Sequence, residues 1–232
     1  MLNLKNETIE KLMEVSGETY YKVINIDLKS EEKSEIFKWF LASLLFGMPI
    51  REETAMTTYK FFVLNNVDSC DQILKTPPEE IVKILDMAGY AKYDFVTTKK
   101  LLGVAGDLKE KYGSLSNLYR QSKDEKDLEV RLQEFKGVGP TTVNIFLREM
   151  RDVWDVDPLP HKFVVEASRN LGLTEKTRRK DVLHDLKKVW KENRMQGKRF
   201  SNFEAALLRL GKNYCSRKKC DTCDFKDLCK KN

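Results

Sequence analysis

Apolar positions along the 232-residue chain recur at helical rather than strand spacing. Phe37, Phe40, Leu41, Leu44 and Leu45 form the first strong stripe. Ala55, Tyr59 and Phe62 give Glu52 to Leu64 an amphipathic face. Thr76-Pro77-Pro78 supplies a cap and an early proline for a helix carrying Ile81, Ile84, Leu85 and Ala88, and Gly89 ends it. Phe95 to Tyr112 reads as one helix that tolerates Gly103 and stops at Gly113. Shorter helices are expected from Ser114 to Arg120 and from Asp127 to Phe135. Pro140 to Met150, His161 to Leu171 (stopped by Gly172), Asp181 to Asn193 and Ser201 to Leu210 complete the series. Ser201 and Glu204 stand at capping-box spacing, with Gly211 just beyond. No segment alternates convincingly, and nothing repeats at a period of roughly 20–50 residues. The pattern predicts an all-α protein of about ten helices.

Composition narrows the class. With 41% hydrophobic residues, 11 Gly and 6 Pro, the chain is neither disordered nor fibrous. The longest apolar run, Trp39 to Ile50, contains Gly47 and Pro49 and is too short to span a bilayer. The segment from Met1 to Leu12 has no apolar core of a signal peptide, so a cytoplasmic protein is expected. The net charge of +6 hides an asymmetry. From Lys176 onward there are 18 Lys and Arg against 7 Asp and Glu, a balance of +11, so the preceding residues carry −5. A basic tail on a mildly acidic body suggests an anion-binding face, with nucleic acid the first candidate. Of five cysteines, Cys70 stands alone, while Cys215, Cys220, Cys223 and Cys229 crowd the C-terminus. Without a signal peptide, that clustering favours a metal centre over disulfides.

Phe135-Lys136-Gly137-Val138-Gly139-Pro140 lies between two expected helices. Gly137 and Gly139 accommodate positive φ and let a ligand approach the backbone, and Pro140 suits a first helical position. Val138 is expected to plug inward. The N–H groups at the helix start then form a phosphate cradle.

Leu132 to Asn144 resembles the helix-hairpin-helix of the endonuclease III superfamily of base-excision DNA glycosylases. The resemblance implies that Lys136, Gly137, Val138, Gly139 and Thr141 hold a DNA phosphate without reading sequence. It also implies a catalytic Asp at the start of the next helix, which stabilises the cationic sugar and assists water attack. The chain there reads Asp155-Val156-Asp157-Pro158-Leu159-Pro160-His161-Lys162. A gapless count puts Leu159 at the Asp position. Asp157 fits with a shorter loop and a two-residue insertion, and its sequence context suits an N-cap with Pro158 at the first helical position. Asp155 is the minor alternative. Bifunctional relatives place a lysine where this chain has Thr141, which cannot form a Schiff base, so base removal by water alone is implied. Lys136 and Lys162 are the nearby lysines.

Cys215-x4-Cys220-x2-Cys223-x5-Cys229 is similar to the family's cluster motif, with the first spacing two residues shorter. It implies a [4Fe–4S] cluster, with zinc as the alternative, in a loop that aims Arg217, Lys218 and Lys219 at the DNA backbone. Ala42 to Thr54 looks like the family loop that enters the duplex, with Met48 as an apolar wedge or as plain core. Gly89 to Tyr93 resembles a second DNA-facing turn, in which Tyr93 would line a base pocket.

The resemblance thus implies a two-domain helix-hairpin-helix fold. A helical barrel domain would span 32–151, and 1–31 with 152–232 would form a cluster domain. The implied activity is that of a monofunctional DNA glycosylase, monomeric and nucleoid-associated, that flips a damaged or mismatched base from double-stranded DNA. The alternative is a protein of the same fold that binds DNA lesions or structures without catalysis.

Overall fold

The computed structural model describes residues 2–230. All regular structure among them is helical, as the periodicity predicts. The helices are α1 (Leu2–Ser16), α2 (Tyr20–Val23), α3 (Lys33–Phe46), α4 (Glu52–Leu64), α5 (Cys70–Lys75), α6 (Pro78–Met87), α7 (Asp94–Lys111), α8 (Leu115–Gln121), α9 (Glu125–Gln133), α10 (Pro140–Met150), α11 (Lys162–Asn170), α12 (Arg179–Glu192) and α13 (Phe200–Asn213). Short 3-10 turns follow α2 and occupy the C-terminal segment. The chain divides into two compact units, one of Tyr21–Asp157 and one joining the residues up to Tyr20 with those from Pro158 onward.

The unit of Tyr21–Asp157 is built around α3. Trp39, Phe40, Leu41, Leu44 and Leu45 are all buried, so α3 is surrounded by neighbours on every side. The Trp39 indole donates to the Phe146 carbonyl at 3.0 Å, which docks α10 on α3. Phe40 meets the rings of Phe135 and Phe146 edge-on, at 6.3 and 5.1 Å between centroids. Both helices that flank the glycine hairpin therefore rest on one aromatic cluster, whose burial contributes about 2 kcal/mol per ring or more.

In the other unit α13 is the centre. Phe203 is fully buried and stacks on Trp190 of α12 at 5.6 Å. The Asn202 amide donates to the Gly17 carbonyl at 2.8 Å, and Arg209 lies 4.1 Å from the Tyr20 ring while donating to the Ser16 carbonyl at 2.7 Å. These contacts satisfy the carbonyls at the end of α1 and fasten the two ends of the chain together. Gly211 lies within α13 rather than after it. A Cβ there would collide with the Phe163 carbonyl of α11, so close helix packing, not helix termination, explains this glycine.

Three expected caps differ. Ser201 and Glu204 are buried inside α13, and the cap lies two residues earlier at Arg199, with the Asn202 side chain accepting from the Arg199 N–H at 2.9 Å. Thr76 closes α5, its hydroxyl donating to Gln72 at 2.7 Å, and Pro77 precedes α6. Asp157 does not cap α11. His161 does, its Nδ1 accepting the Phe163 N–H at 3.3 Å, and Pro158 to Pro160 remain outside the helix. Two prolines within three residues keep that stretch extended, because each disfavours helical dihedrals at the residue before it. Gly89, Gly113 and Gly172 do follow α6, α7 and α11 in left-handed conformation.

Candidate functional site

The hairpin joins the antiparallel pair α9 and α10. Phe135 and Val138 are buried, and the Val138 N–H donates to the Phe135 carbonyl at 2.9 Å, closing a tight turn. Gly137 has φ +86°, whereas Gly139 is extended at φ −100°. Positive φ is thus required at Gly137 alone. Gly139 serves differently: no atom lies within 4 Å of the place its Cβ would occupy, so the backbone is open to a ligand. Val143 N–H is bound by the Gly139 carbonyl at 3.1 Å. The N–H groups of Thr141 and Thr142 belong to the first turn, which has no intrahelical acceptors, and Pro140 has no N–H. Lys136 and Thr141 are exposed beside them. Helix-dipole charge and open N–H groups together suit an anion.

The two glycines are expected to respond differently to substitution. Gly137→Ala should lower unfolding stability by about 1–2 kcal/mol, the cost of a left-handed alanine. Gly139→Asp should leave stability nearly unchanged while weakening duplex binding at least tenfold. Thermal unfolding and fluorescence anisotropy with a labelled duplex measure the two effects.

The α3 C-terminus is held from three sides close to the hairpin. The Tyr90 hydroxyl donates to the Leu45 carbonyl at 2.6 Å, and Lys100 Nζ donates to the Leu44 carbonyl at 2.9 Å. A Cβ on Gly47 would collide with the Thr142 hydroxyl of α10, so this glycine brings the loop against the hairpin helix. Half-buried Met48 follows directly, and its N–H donates to the Leu45 carbonyl at 3.2 Å. Tyr93 is half-buried one turn beyond Tyr90, with the Lys92 ammonium 5.5 Å from its ring. The structure thus gathers Met48, the Gly89–Tyr93 turn and the hairpin helix around the end of α3.

Lys100 was not singled out by its sequence context. Its stem lies 3.0 Å from the position of a Gly137 Cβ, beneath the hairpin, and burial lowers its pKa to about 8. An unfolded lysine titrates near 10.5. Below about pH 8 both states are protonated and the contribution is constant. Between about 8 and 10.5 the unfolded chain holds the extra proton, so stability rises with pH. Relative to Lys100→Met, the parent protein should therefore gain stability from pH 7 to pH 10, measured by urea unfolding at both values.

Asp155 and Asp157 lie at the opposite end of the α9–α10 pair. α10 spans 11 residues, so this end is about 16 Å from the hairpin. Asp157 is ion-paired with Arg151, whose side chain is only 6% exposed against 44% for the aspartate. The Asp157 N–H donates to the Glu125 carboxylate at 2.6 Å. Exposed Asp155 donates its N–H to the Tyr119 hydroxyl at 3.0 Å, and Tyr119 stacks on Trp154 at 4.5 Å. Asp155 lines an open polar cleft of 370 Å³ with Lys123, Asp124 and Glu125. The start of the helix after the hairpin, where the resemblance implies an acid, is held by His161. The expected helix start at His161 is therefore borne out, and the N-cap role expected of Asp157 is filled by His161 itself.

In the other unit the cysteines occupy three 3-10 turns, Cys215–Arg217, Cys220–Thr222 and Lys226–Leu228. Cys215 and Cys220 open turns, and Cys223 and Cys229 close them. All four line one cavity of 310 Å³, together with Asn170, Tyr214, Lys218 and Lys226. Arg217, Lys218 and Lys219 are exposed, Lys218 in left-handed conformation at the cavity wall. Burial raises the Cys215 and Cys223 thiols above their ordinary pKa, so thiolates there need compensating cationic charge. Among the described residues, no three His, Cys, Asp or Glu are gathered closely enough to hold a single metal ion. Four thiols on one short segment around one cavity are a donor set that suits a metal or metal–sulfur centre. No helix among the described residues is long and apolar enough to cross a membrane.

This all-helical architecture, with a glycine hairpin between two packed helices, is the fold seen in solved helix-hairpin-helix DNA glycosylases. The chain superposes with a TM-score of 0.58 on the Methanocaldococcus jannaschii 8-oxoguanine glycosylase/lyase in complex with DNA containing 8-oxoguanine, at 16% identity over 92% of this chain and 99% of that one. It is similar to the H. pylori 3-methyladenine DNA glycosylase bound to 1,N6-ethenoadenine, with a TM-score of 0.56, 14% identity, and coverage of 92% and 98%. It also matches a trapped endonuclease III–DNA covalent intermediate at a TM-score of 0.52, with 17% identity over 82% of each chain. No protein-family model and no curated protein sequence matches.

Proposed function

We propose that this protein is a monofunctional base-excision DNA glycosylase carrying a [4Fe–4S] cluster. The observation that carries the reading is the hairpin: a left-handed Gly137, an open Gly139 and an anion-ready start of α10. In this reading the hairpin holds a backbone phosphate with help from Lys136, and Met48 enters the base stack as an apolar wedge. Tyr93 borders the everted base. Asp157, oriented by Arg151, stabilises the cationic sugar while water attacks C1′, the C1′–N bond breaks, and the base leaves with the bonding electrons. Cys215, Cys220, Cys223 and Cys229 would hold the cluster, which when bound supplies a rigid cross-link of the C-terminal loop. Arg217 and Lys219 lie on that loop and would reach DNA phosphates.

The test is a panel of duplexes containing ethenoadenine, 3-methyladenine, 8-oxoguanine, mismatched adenine or an oxidised pyrimidine. Strand breaks are expected on at least one member, and only after alkali. With Thr141 at the position of the lyase lysine, borohydride is expected to trap no protein on abasic DNA. Breaks without alkali, or a trapped adduct, would overturn the monofunctional assignment.

A second reading, a lesion-binding protein without base removal, is favoured by one observation. The wedge and hairpin gather at one end of α10, while Asp157 sits at the other, engaged with Arg151 and Glu125. Tight binding of a damaged duplex with no alkali-labile product across the panel would establish it.

A further inference from the structure

The surface of α12 is divided by charge. Val182, Leu183, Leu186, Val189 and Trp190 are buried and form its inner face. Lys180, His184, Lys187, Lys188 and Lys191 are all exposed. With 3.6 residues per turn, those five fall within an arc of about 100°. The acids of the helix, Asp181, Asp185 and Glu192, fall in the narrow sector between that arc and the buried face. Asp181 pairs with Arg178 at 2.7 Å, and Asp185 accepts the Thr174 hydroxyl at 2.6 Å, so both are engaged away from the lysines. From Lys180 to Lys191 the ridge runs about 16 Å, the rise of about five base pairs.

This segregation works against the helix itself. Lys187 and Lys188 stand four and three residues before Lys191, and like charges at those spacings repel. Lys180 lies in the first turn, at the positive end of the helix dipole. Other helices of the chain interleave their charges instead, pairing Asp107 with Lys111 and Asp127 with Arg131 across one turn. A polyanion laid along the ridge removes the repulsion. Lysine is depleted from protein–protein interfaces, and the ridge holds no aromatic anchor for one. A helix that lies on a membrane needs a free apolar face, and that of α12 is buried. Ammonium groups in a row, without the fixed fork of arginine, suit phosphates held without base reading.

We propose that the α12 ridge is a further DNA-binding surface, which grips the duplex backbone through contacts separate from those of the hairpin. It rests on the DNA-binding part of the reading above and not on base removal.

The experiment measures binding of the full chain to an undamaged 30-base-pair duplex by anisotropy between about 50 and 200 mM salt. The variant combines Lys180→Gln, Lys187→Gln, Lys188→Gln and Lys191→Gln. A control with the same change of net charge combines Lys60→Gln, Lys75→Gln, Lys83→Gln and Lys111→Gln, all exposed in the other unit. The ridge variant is expected to bind at least tenfold more weakly, with the slope of log affinity against log salt reduced by about 0.9 for each lysine in contact. The control is expected to keep the parent slope. Equal slopes for ridge variant and parent, or an equal loss in the control, overturn the ridge and leave the glycosylase reading standing. A parent protein that binds no duplex overturns both. Loss of binding to poly-glutamate with the duplex slope unchanged overturns the proposal in favour of an acidic protein surface. Should the ridge variant not fold, lysine acetylation of the parent protein read by mass spectrometry answers the same question. Bound duplex is expected to protect Lys180, Lys187, Lys188 and Lys191 but not Lys60 or Lys83, and absence of that protection overturns the proposal.

Discussion

Cys223→Ser is expected to yield a colourless protein whose last sixteen described residues no longer hold a fixed structure. The physical reason is how little else orders them. Between Cys215 and Lys230 the only regular structure is three 3-10 turns of three residues each. Phe225 is the one buried apolar side chain of that segment, with Lys11 5.5 Å from its ring. Burial of a single phenylalanine contributes about 2–3 kcal/mol, far less than the backbone entropy of ordering sixteen residues at about 1–2 kcal/mol each. In the proposed cluster protein, ligation by four sulfurs would supply the difference, because metal-binding energy is then folding energy. Limited proteolysis should cut the variant between Cys215 and Cys229 and spare the helical part, where Phe203, Trp190 and Leu207 remain packed. Duplex affinity should fall with the loss of a fixed Arg217 and Lys219. Cys70→Ser is the control. That thiol donates to the Ala105 carbonyl at 3.1 Å in the other unit, so its loss should leave colour and protease resistance unchanged. A Cys223→Ser protein that keeps its iron and resists protease would show that the segment folds without the cofactor.

Asp157→Asn is expected to reduce base release by about 10²–10⁴-fold, the usual contribution of a positioned acid–base group. It should also cost stability, about 1–3 kcal/mol, because Arg151 is nearly enclosed and would lose a carboxylate partner. Duplex affinity should change little, since the hairpin lies at the other end of α10. Single-turnover base release, urea unfolding and anisotropy separate the three effects. A variant that is destabilised yet releases base at the parent rate would leave Asp157 with a structural role only. His161→Ala would then be the next substitution, because His161 occupies the helix start.

Much of this was legible in the sequence, because the informative features act over a few residues. Helical stripes such as Phe37 to Leu45 require only the 3.6-residue period, and α3 follows from them. Gly137, Val138, Gly139 and Pro140 carry the hairpin in four contiguous positions, and Val138 is buried as expected of a residue that plugs inward. The cysteines surround one cavity because short turns confine them.

What the sequence left open depends on partners far along the chain. Whether Ser201 caps α13 was decided by the packing of that helix, which starts earlier and buries Ser201 and Glu204. Glu125 meets Asp157 across 32 positions, and Lys100 reaches Leu44 across 56. The Asn170 carbonyl reaches the Lys230 N–H only because α11 packs beside the cysteine turns. Local propensity and periodicity determined the elements, the hairpin and the clustering of the four cysteines. Tertiary packing decided which distant side chains surround them, because a contact between remote residues is set by the closure of the core around both, and no local pattern encodes that.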